Sequence, residues 1–389
     1  MNMISNDFFT QVILNKDFSL YNSFSPSTEE CKVADDVFFA IENNSHHKTI
    51  NRKITNIVLS QQPVTSSACG FIKGKSYFDF LMPHISGYYF LRLDIKNFFH
   101  SIDERHVKAL LSSLFSDEKE KRDQTTDKYS PFDIATLAVM HSVPDNSTCE
   151  DLKGRTILPI GFPSSPIISN IIFRKIDILI QKYCDERKIK YTRYADDLLF
   201  SSFDNKFIHG TQFEQEISIL VSLLGLRLNN KKRVARENTI SLNGYVIQNR
   251  KKTKSFFNVL TEQPIGSIRL SDKKIKIIKK LIHSLEHNHT PVEIMRALFD
   301  VNINTHKFKH RKNYSFFEKY AKDQLLNKMR GYRSYLISIV SYNKKNPCVS
   351  PLEINKYIGL VNRLNRQIIK SSVANLVDDD VTTLSDAII

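Results

Sequence analysis

Three carboxylates give the first hint of chemistry, because the residues around them have no ordinary use for a charge. Residues 88 to 95 read as a strand in which Leu91 and Leu93 alternate with Phe90, Arg92 and Asp94, so Asp94 points away from the leucine face. In YTRYADDLLFSS, residues 191 to 202, two short apolar or aromatic segments flank a compact polar centre. That pattern predicts a β-hairpin with Asp196 and Asp197 at its turn. Aspartate is depleted from strands, and burying a carboxylate is costly unless it is paired or binds a cation. Brought together at one edge of a sheet, the three form a set of hard oxygen ligands with no nearby His or Cys. Such a set selects Mg²⁺ over Zn²⁺ or copper, with Mn²⁺ an alternative ion. Two Mg²⁺ ions roughly 4 Å apart stabilise the attacking and leaving oxygens of an in-line phosphoryl displacement. Nucleotidyl transfer is the chemistry expected. An aspartate doublet alone would not carry this, since Asp35-Asp36 and the run at 378 to 380 suit solvated turns.

The elements that must hold these residues can be sketched from periodicity. From Lys48, Ile50, Ile54, Ile57 and Val58 follow a helical pattern that leads to a Gly/Lys loop at 70 to 76. Residues 116 to 130 are charged and read as an exposed connection. Ser165 and Pro166 read as an N-cap followed by proline at the first helical position, with Ile168, Ile172, Ile176 and Leu179 continuing the helix. An amphipathic helix is expected over about 211 to 224, ended by Gly225, and then a strand over 240 to 247. Beyond Arg250 the pattern is helical. Ser271 caps a helix with Ile275, Ile278, Ile282 and Leu285 on one side and Lys273, Lys276 and Lys280 on another, and helices over 314 to 342 and 351 to 369 follow. Residues 1 to 45 show no clean period.

Composition bounds the function class. A chain of 389 residues suggests two or three domains, and 41% hydrophobic with 25% charged residues excludes wholesale disorder. Five cysteines without pair or metal spacing suit a reducing, cytoplasmic setting. The uncharged stretch 156 to 173 is interrupted by three prolines, so no membrane segment is expected. The net charge of +15 is concentrated: residues 248 to 376 hold 26 Lys and Arg against 8 Asp and Glu, while residues 1 to 247 balance at +1. A basic region of that kind is the footprint of a phosphate-backbone binder; a well-solvated lysine-rich helical domain is the plainer explanation.

With these residues in view, the chain resembles the reverse transcriptases. Tyr194-Ala195-Asp196-Asp197 resembles their YxDD motif and LDIKNFFHSI (93 to 102) their first catalytic block. ACGFIKGKS (68 to 76), LPIGFPSSPIISN (158 to 170), GLRLNNKK (225 to 232) and LNGY (242 to 245) resemble four more, in the family's order over roughly residues 48 to 250. The resemblance is to bacterial members near the retron, group II intron and defence-associated branches. It implies an α+β right-hand polymerase: an N-terminal extension and fingers over 1 to 90, a palm over 91 to 250 with part of the fingers inserted at about 115 to 165, a helical basic thumb over 251 to 376, and an acidic tail over 377 to 389. Asp94 and Asp196 become the principal ligands of two Mg²⁺ ions, with the Ile95 carbonyl on the nucleotide-side ion and Asp197 in support. Phe99 falls at the family's aromatic steric gate, where a ring crowds a ribose 2′-hydroxyl; plain core packing beside Phe98 is a compatible use. Lys232, in a G-x-x-x-N-x-x-K pattern, is placed to protonate the leaving pyrophosphate, with Lys231 the alternative. Lys73 and Lys75 would meet template or triphosphate. A P-loop reading of that loop fails, since only three residues separate Gly70 from Gly74. Ile160 and Gly161 lie in the nucleotide-contacting block; Asn243, Gly244 and Tyr245 in the primer grip, for which a strand bend at Gly244 is the plainer account. Lys273, Lys276 and Lys280 would hold nucleic acid.

The sequence also departs from the family's pattern. The usual Pro-Gln-Gly is Pro159-Ile160-Gly161, and the first arginine is Arg52, later than the fingers arginine is expected. The retron elements Asn-Ala-x-x-His and Val-Thr-Gly correspond to residues 80 to 84, which retain only His84, and to Leu242-Asn243-Gly244. These departures favour a defence-associated relative over a standard retron enzyme. The function expected is RNA-directed DNA synthesis, extending a primer with deoxynucleotides on a dedicated structured non-coding RNA in an anti-phage system. A second copy of the chain or a defence protein is left open as a further partner. Three alternatives stay open: template-independent or protein-primed DNA synthesis, a retron enzyme making RNA-linked DNA, and an RNA-binding scaffold.

Overall fold

In a computed structural model of the chain, residues 3–33, 36–122, 125–249, 266–301 and 314–385 are described. The chain divides into two compact units, Met1–Asn238 and Thr239–Ile389.

After short helical segments at Asn6–Phe8, Phe9–Ile13 and Leu20–Ser23, the first unit forms an antiparallel hairpin, β1 (Thr28–Val33) and β2 (Asp36–Ile41), in a stretch where the sequence shows no period. Helix α1 (His46–Lys53) is capped by Ser45, whose hydroxyl accepts from the Lys48 amide. It widens into a π-helical turn at Ile54–Val58. Ile50, Ile54 and Val58 are buried as expected, but Ile57 is 37% exposed, because the wider turn changes the phase of the apolar stripe. After α2 (Tyr77–Leu81) come β3 (Tyr89–Asp94), α3 (Phe98–Ser101), α4 (Glu104–Ser112) and α5 (Pro131–Val139). The long helix α6 (Ser165–Asp185) is followed by β4 (Lys190–Tyr194), β5 (Asp197–Ser202), α7 (Thr211–Ser222) and β6 (Val234–Glu237). The N-cap position of α6 is Ser164 rather than Ser165, and the Ser164 hydroxyl accepts from the Asn51 side-chain amide at 2.9 Å instead of capping the helix. Ser165 is already helical, and its hydroxyl donates instead to the Pro159 carbonyl at 2.6 Å.

Strands β6, β3, β5 and β4 form, in that order, one antiparallel sheet. Its central strand β5 is buried along its whole length. One face packs Leu91, Leu93, Leu198 and Phe200 into the same apolar core as Phe173, Ile176 and Ile180 of α6 and Phe213, Ile217 and Val221 of α7. The other face receives His84, which lies 2.7 Å from the Ser201 hydroxyl and 2.8 Å from that of Thr192.

The second unit starts with a three-stranded antiparallel sheet, β7 (Thr239–Leu242), β8 (Tyr245–Gln248) and β9 (Ser267–Leu270). The single strand expected over 240 to 247 is thus a hairpin, turning at Asn243 and Gly244, the dipeptide that suits a two-residue turn. Strand β9 interrupts a region expected to be helical, and the start of that expected region, 250 to 265, lies outside the described residues, as do 302 to 313. Helices α8 (Asp272–Glu286), α9 (Pro291–Phe299), α10 (Tyr314–Lys345) and α11 (Pro351–Ser385) complete the unit. Ser271 caps α8 as expected, with Ile275, Ile278 and Ile282 buried and Lys273, Lys276 and Lys280 exposed. No helix among the described residues is long and apolar enough to cross a membrane, and the five cysteines are free.

Candidate active site

The site is an outcome of strand register. Asp94, last residue of β3, lies directly opposite Asp197, first residue of β5, and Asp197 pairs in turn with Tyr194 at the end of β4. The turn between β4 and β5 is therefore Ala195 and Asp196. The expectation of both aspartates in the turn is corrected by one position, because Tyr194 and Asp197 close the ladder as a pair. Cross-strand partners share a face, so Asp94 and Asp197 emerge together on the face opposite Leu91 and Leu93. Asp196 joins them through its backbone, its carbonyl accepting from the Ile95 amide at 3.0 Å. The next turn of chain closes the other side: the Asn229 amide donates to the Asp94 carbonyl at 2.7 Å, which brings Lys232 to the site.

Two cations offset the negative charge. Lys232 Nζ lies 3.0 Å from Asp94 Oδ2, and Arg92 holds Asp197 Oδ1 through Nε at 2.7 Å and Nη2 at 2.6 Å. Of the two lysines left open, Lys232 is the one that reaches Asp94. That hydrogen bond pushes its ammonium pKa up. Burial pushes the Asp196 carboxyl up to about 6, with the charges of Asp197 and Asp94 adding to the effect. Burial raises Asp197 too, against the pull of Arg92. Among the described residues no three His, Cys, Asp or Glu side chains gather round a point as a ready-made metal cage; Lys232 and Arg92 hold two of the carboxylates. Asp94 Oδ1 is nevertheless buried without a hydrogen-bond partner, a costly arrangement for a carboxylate. An orphaned buried oxygen in an all-oxygen donor set fits a hard divalent cation.

The turn is supported by groups that the sequence reading passed over. Period two turns Arg193 to the face opposite Asp94, where its side chain is wholly buried and paired with equally buried Asp177 of α6 at 2.7 Å. The signal was present, since Asp177 interrupts the apolar helical stripe of Phe173, Ile176 and Ile180. Gly70 lies so close to the turn that a Cβ there would sit 2.8 Å from the Ala195 amide nitrogen.

The other sequence-predicted candidates have surroundings of their own. Phe99 is half-buried, with its ring centroid 5.4 Å from Phe98 and 6.4 Å from Phe71, which in turn contacts Tyr194 at 6.0 Å. Lys75 donates to the Ser66 and Ala68 carbonyls at 2.7 and 2.6 Å, so it ties its own loop together, whereas Lys73 is exposed. Arg52 is exposed on α1. The Ile160 carbonyl accepts from the Phe39 amide at 2.8 Å, and a Cβ at Gly161 would meet the Phe39 carbonyl oxygen at 2.5 Å, so β2 buttresses this loop. In the second unit the Gly244 carbonyl accepts from the Ser271 amide and from the Tyr335 hydroxyl, each at 2.8 Å, and Tyr245 packs on Tyr335 with centroids 5.1 Å apart.

A sheet whose hairpin turn carries Asp196 beside the cross-strand pair Asp94 and Asp197 is the core of a known class. Residues 42–247, just over half of the chain, match the family described as reverse transcriptase (RNA-dependent DNA polymerase), and the chain belongs to that family. It is 31% identical over 189 residues to the retron Ec83 reverse transcriptase of Escherichia coli, covering 48% of this chain and 56% of that one. To the retron Ec86 reverse transcriptase of the same species it is 24% identical over 275 residues, 71% of this chain and 74% of that one. To the retron Mx65 reverse transcriptase of Myxococcus xanthus it is 30% identical, spanning only 35% of that protein. Among solved structures, telomerase from Candida albicans in complex with a fragment of telomeric RNA is similar over 94% of this chain and 68% of that one, with 12% identity and a TM-score of 0.41.

Proposed function

We propose that this chain is an RNA-directed DNA polymerase that extends a primer with deoxynucleotides. Membership of the reverse transcriptase family supports the reaction class. The observation that carries the residue-level reading is the register of Asp94 against Asp197, with Asp196 in the turn and Asp94 Oδ1 buried and unpartnered. In this reading Asp94, Asp196 and the Ile95 carbonyl hold the divalent ions, Mg²⁺ by preference, with Asp197 in support. When bound, such ions stabilise charge on the attacking 3′ oxygen and on the leaving pyrophosphate. The protein's own side chains do the rest. Arg92 orients Asp197 and opposes the upward pull of burial on its carboxyl, Lys232 delivers a proton toward the leaving group, and Phe99 closes the sugar side against a 2′-hydroxyl. Residues 91 to 250 then act as the palm and the basic helices as the thumb that tracks the phosphate backbone through Lys273, Lys276 and Lys280. The N-terminal region and the inserted loops supply the fingers.

Purified protein with Mg²⁺, an RNA template, a DNA primer and labelled deoxynucleotides tests this directly. Wild-type protein is expected to extend the primer and Asp196→Asn to lose that activity; synthesis by Asp196→Asn at the wild-type rate refutes the assignment.

A second reading concerns the product. The curated relatives described above are retron reverse transcriptases, which favours a retron-like enzyme making RNA-linked DNA on its own structured RNA, despite the departures at residues 80 to 84 and 242 to 244. Sequencing the nucleic acid that co-purifies with the protein separates this from synthesis on unlinked templates. A role in defence against phage rests on the sequence resemblance alone, and phage challenge of cells carrying Asp196→Asn tests it.

A further inference from the structure

Burying an arginine and an aspartate without any exposure gains little unless the pair supplies something an apolar pair cannot. Asp177 and Arg193 are both 0% exposed. Asp177 Oδ1 accepts from Arg193 Nε at 2.9 Å and from the Tyr191 hydroxyl at 2.8 Å; its Oδ2 accepts from Arg193 Nη2 at 2.7 Å and from the Thr65 hydroxyl at 3.0 Å. The guanidinium also lies over the Phe173 ring, 4.6 Å from its centroid. Tyr191 and Thr65 hold the carboxylate, and the carboxylate and the Phe173 ring fix the fork of Arg193 in place. One arm remains, and Nη1 uses it to donate to the Ala195 carbonyl at 3.1 Å.

Ala195 is the first residue of the carboxylate turn, and its backbone is left-handed, with φ +55. A non-glycine residue adopts that conformation only where its surroundings impose it. Here the surroundings are Arg193 on the carbonyl and Gly70 packed against the amide. The adjacent chain is bound as well: the Arg193 amide donates to the Ser67 carbonyl at 2.8 Å and its carbonyl accepts from the Cys69 amide at 2.7 Å. We propose that Arg193, fixed by Asp177, is a positioning residue that sets the conformation of the 195–196 turn and thereby aims Asp196 and Asp197 at the divalent cation. This rests on the functional reading above. It assigns to helix α6 the task of holding the carboxylates in register.

Two variants test it. Arg193→Met with Asp177→Leu removes both charges together and keeps an apolar filling, a replacement that folds often tolerate, while the donor to Ala195 is gone. Arg193→Lys keeps a charge for Asp177 but lacks the planar fork needed to serve both partners. For each, melting temperature, primer–template affinity, Mn²⁺ binding measured on the protein alone by paramagnetic resonance, and kcat and KM for deoxynucleotide are compared with wild type. Removal of a group that orients a metal ligand weakens metal affinity or activity by about ten- to a hundredfold. The expectation is a loss of that size in Mn²⁺ affinity and in kcat, with primer–template affinity and KM unchanged. A folded variant of either kind with wild-type Mn²⁺ affinity and kcat overturns the proposal and leaves the pair as core packing. Wild-type protein that neither binds Mn²⁺ nor extends a primer would instead bring down the functional reading itself.

Discussion

Lys232, ion-paired with Asp94, and Phe99 are the side chains whose proposed roles are easiest to separate by substitution. A general acid contributes typically about 10² to 10⁴ in rate. Lys232→Ala is therefore expected to lower single-turnover incorporation about a hundredfold, while Lys231→Ala, on an exposed neighbour, stays near wild type; equal effects would reopen the choice. Phe99→Ala is expected to raise ribonucleotide use relative to deoxynucleotide by about tenfold or more, and unchanged discrimination would return Phe99 to packing. His84 makes a prediction of a different kind. Burial pushes its pKa down to about 3, while the unfolded chain holds histidine near 6.5. Between those values the unfolded state binds a proton that the folded state does not. Stability is thus full above about pH 6.5 and falls as pH drops toward 3, by about 1.4 kcal/mol per pH unit where the difference is complete. Denaturant titrations between pH 7 and 5 should show this slope for wild type and a flatter one for His84→Gln. The three aspartates, Phe99 and Lys232 were legible from sequence because each carries a charge or ring at a position where pattern or motif makes it conspicuous. Asp177 was detectable as a charge interrupting an apolar helical stripe, but its pairing with Arg193 and the role of Arg92 were not, because nothing in a linear reading says which charges meet in the interior.

At the scale of elements, strands with an alternating pattern were legible and the loops that brace them were not. The β1–β2 hairpin shows no period in sequence because residues 37 to 41 are apolar throughout, although Phe39 and Ile41 are the buried ones; its Phe39 backbone meets the loop at Ile160 and Gly161. Gly161→Ala, with φ +116 and no room for a Cβ, forces that loop off the hairpin. Overpacking of this kind costs roughly 1–3 kcal/mol. The expected result is a lower melting temperature and a raised KM for deoxynucleotide; a normal KM in a destabilised protein would separate the loop from nucleotide binding. The same physics explains the α6 cap and the hairpin at Asn243 and Gly244. Serine at either of two adjacent positions reads alike in sequence, and an Asn-Gly dipeptide inside an apolar run is recognised as a turn only when both flanks are treated as strands.

For the molecule as a whole, charge distribution was the most readable property, since it needs no fold. Residues 1 to 247 are nearly neutral, whereas the strongly basic stretch falls in the second unit, with Lys273, Lys276 and Lys280 exposed along α8. Each phosphate neutralised on a single strand contributes about −0.7 to the slope of log affinity against log salt. Changing all three lysines to glutamine is expected to flatten that slope by about 2 in RNA-binding titrations; no change would put the nucleic acid elsewhere.

The pairing of Asp94 with Asp197 depends on counting, since neighbouring residues of a strand face opposite sides. One amino acid inserted between Tyr89 and Asp94 would swing that carboxylate into the oily interior and leave the enzyme inert, though every side chain named above were still present. The same insertion near residue 118 would pass unnoticed. Insertions are therefore expected to be tolerated in the connections and not in the strands, which behave as a reading frame in three dimensions.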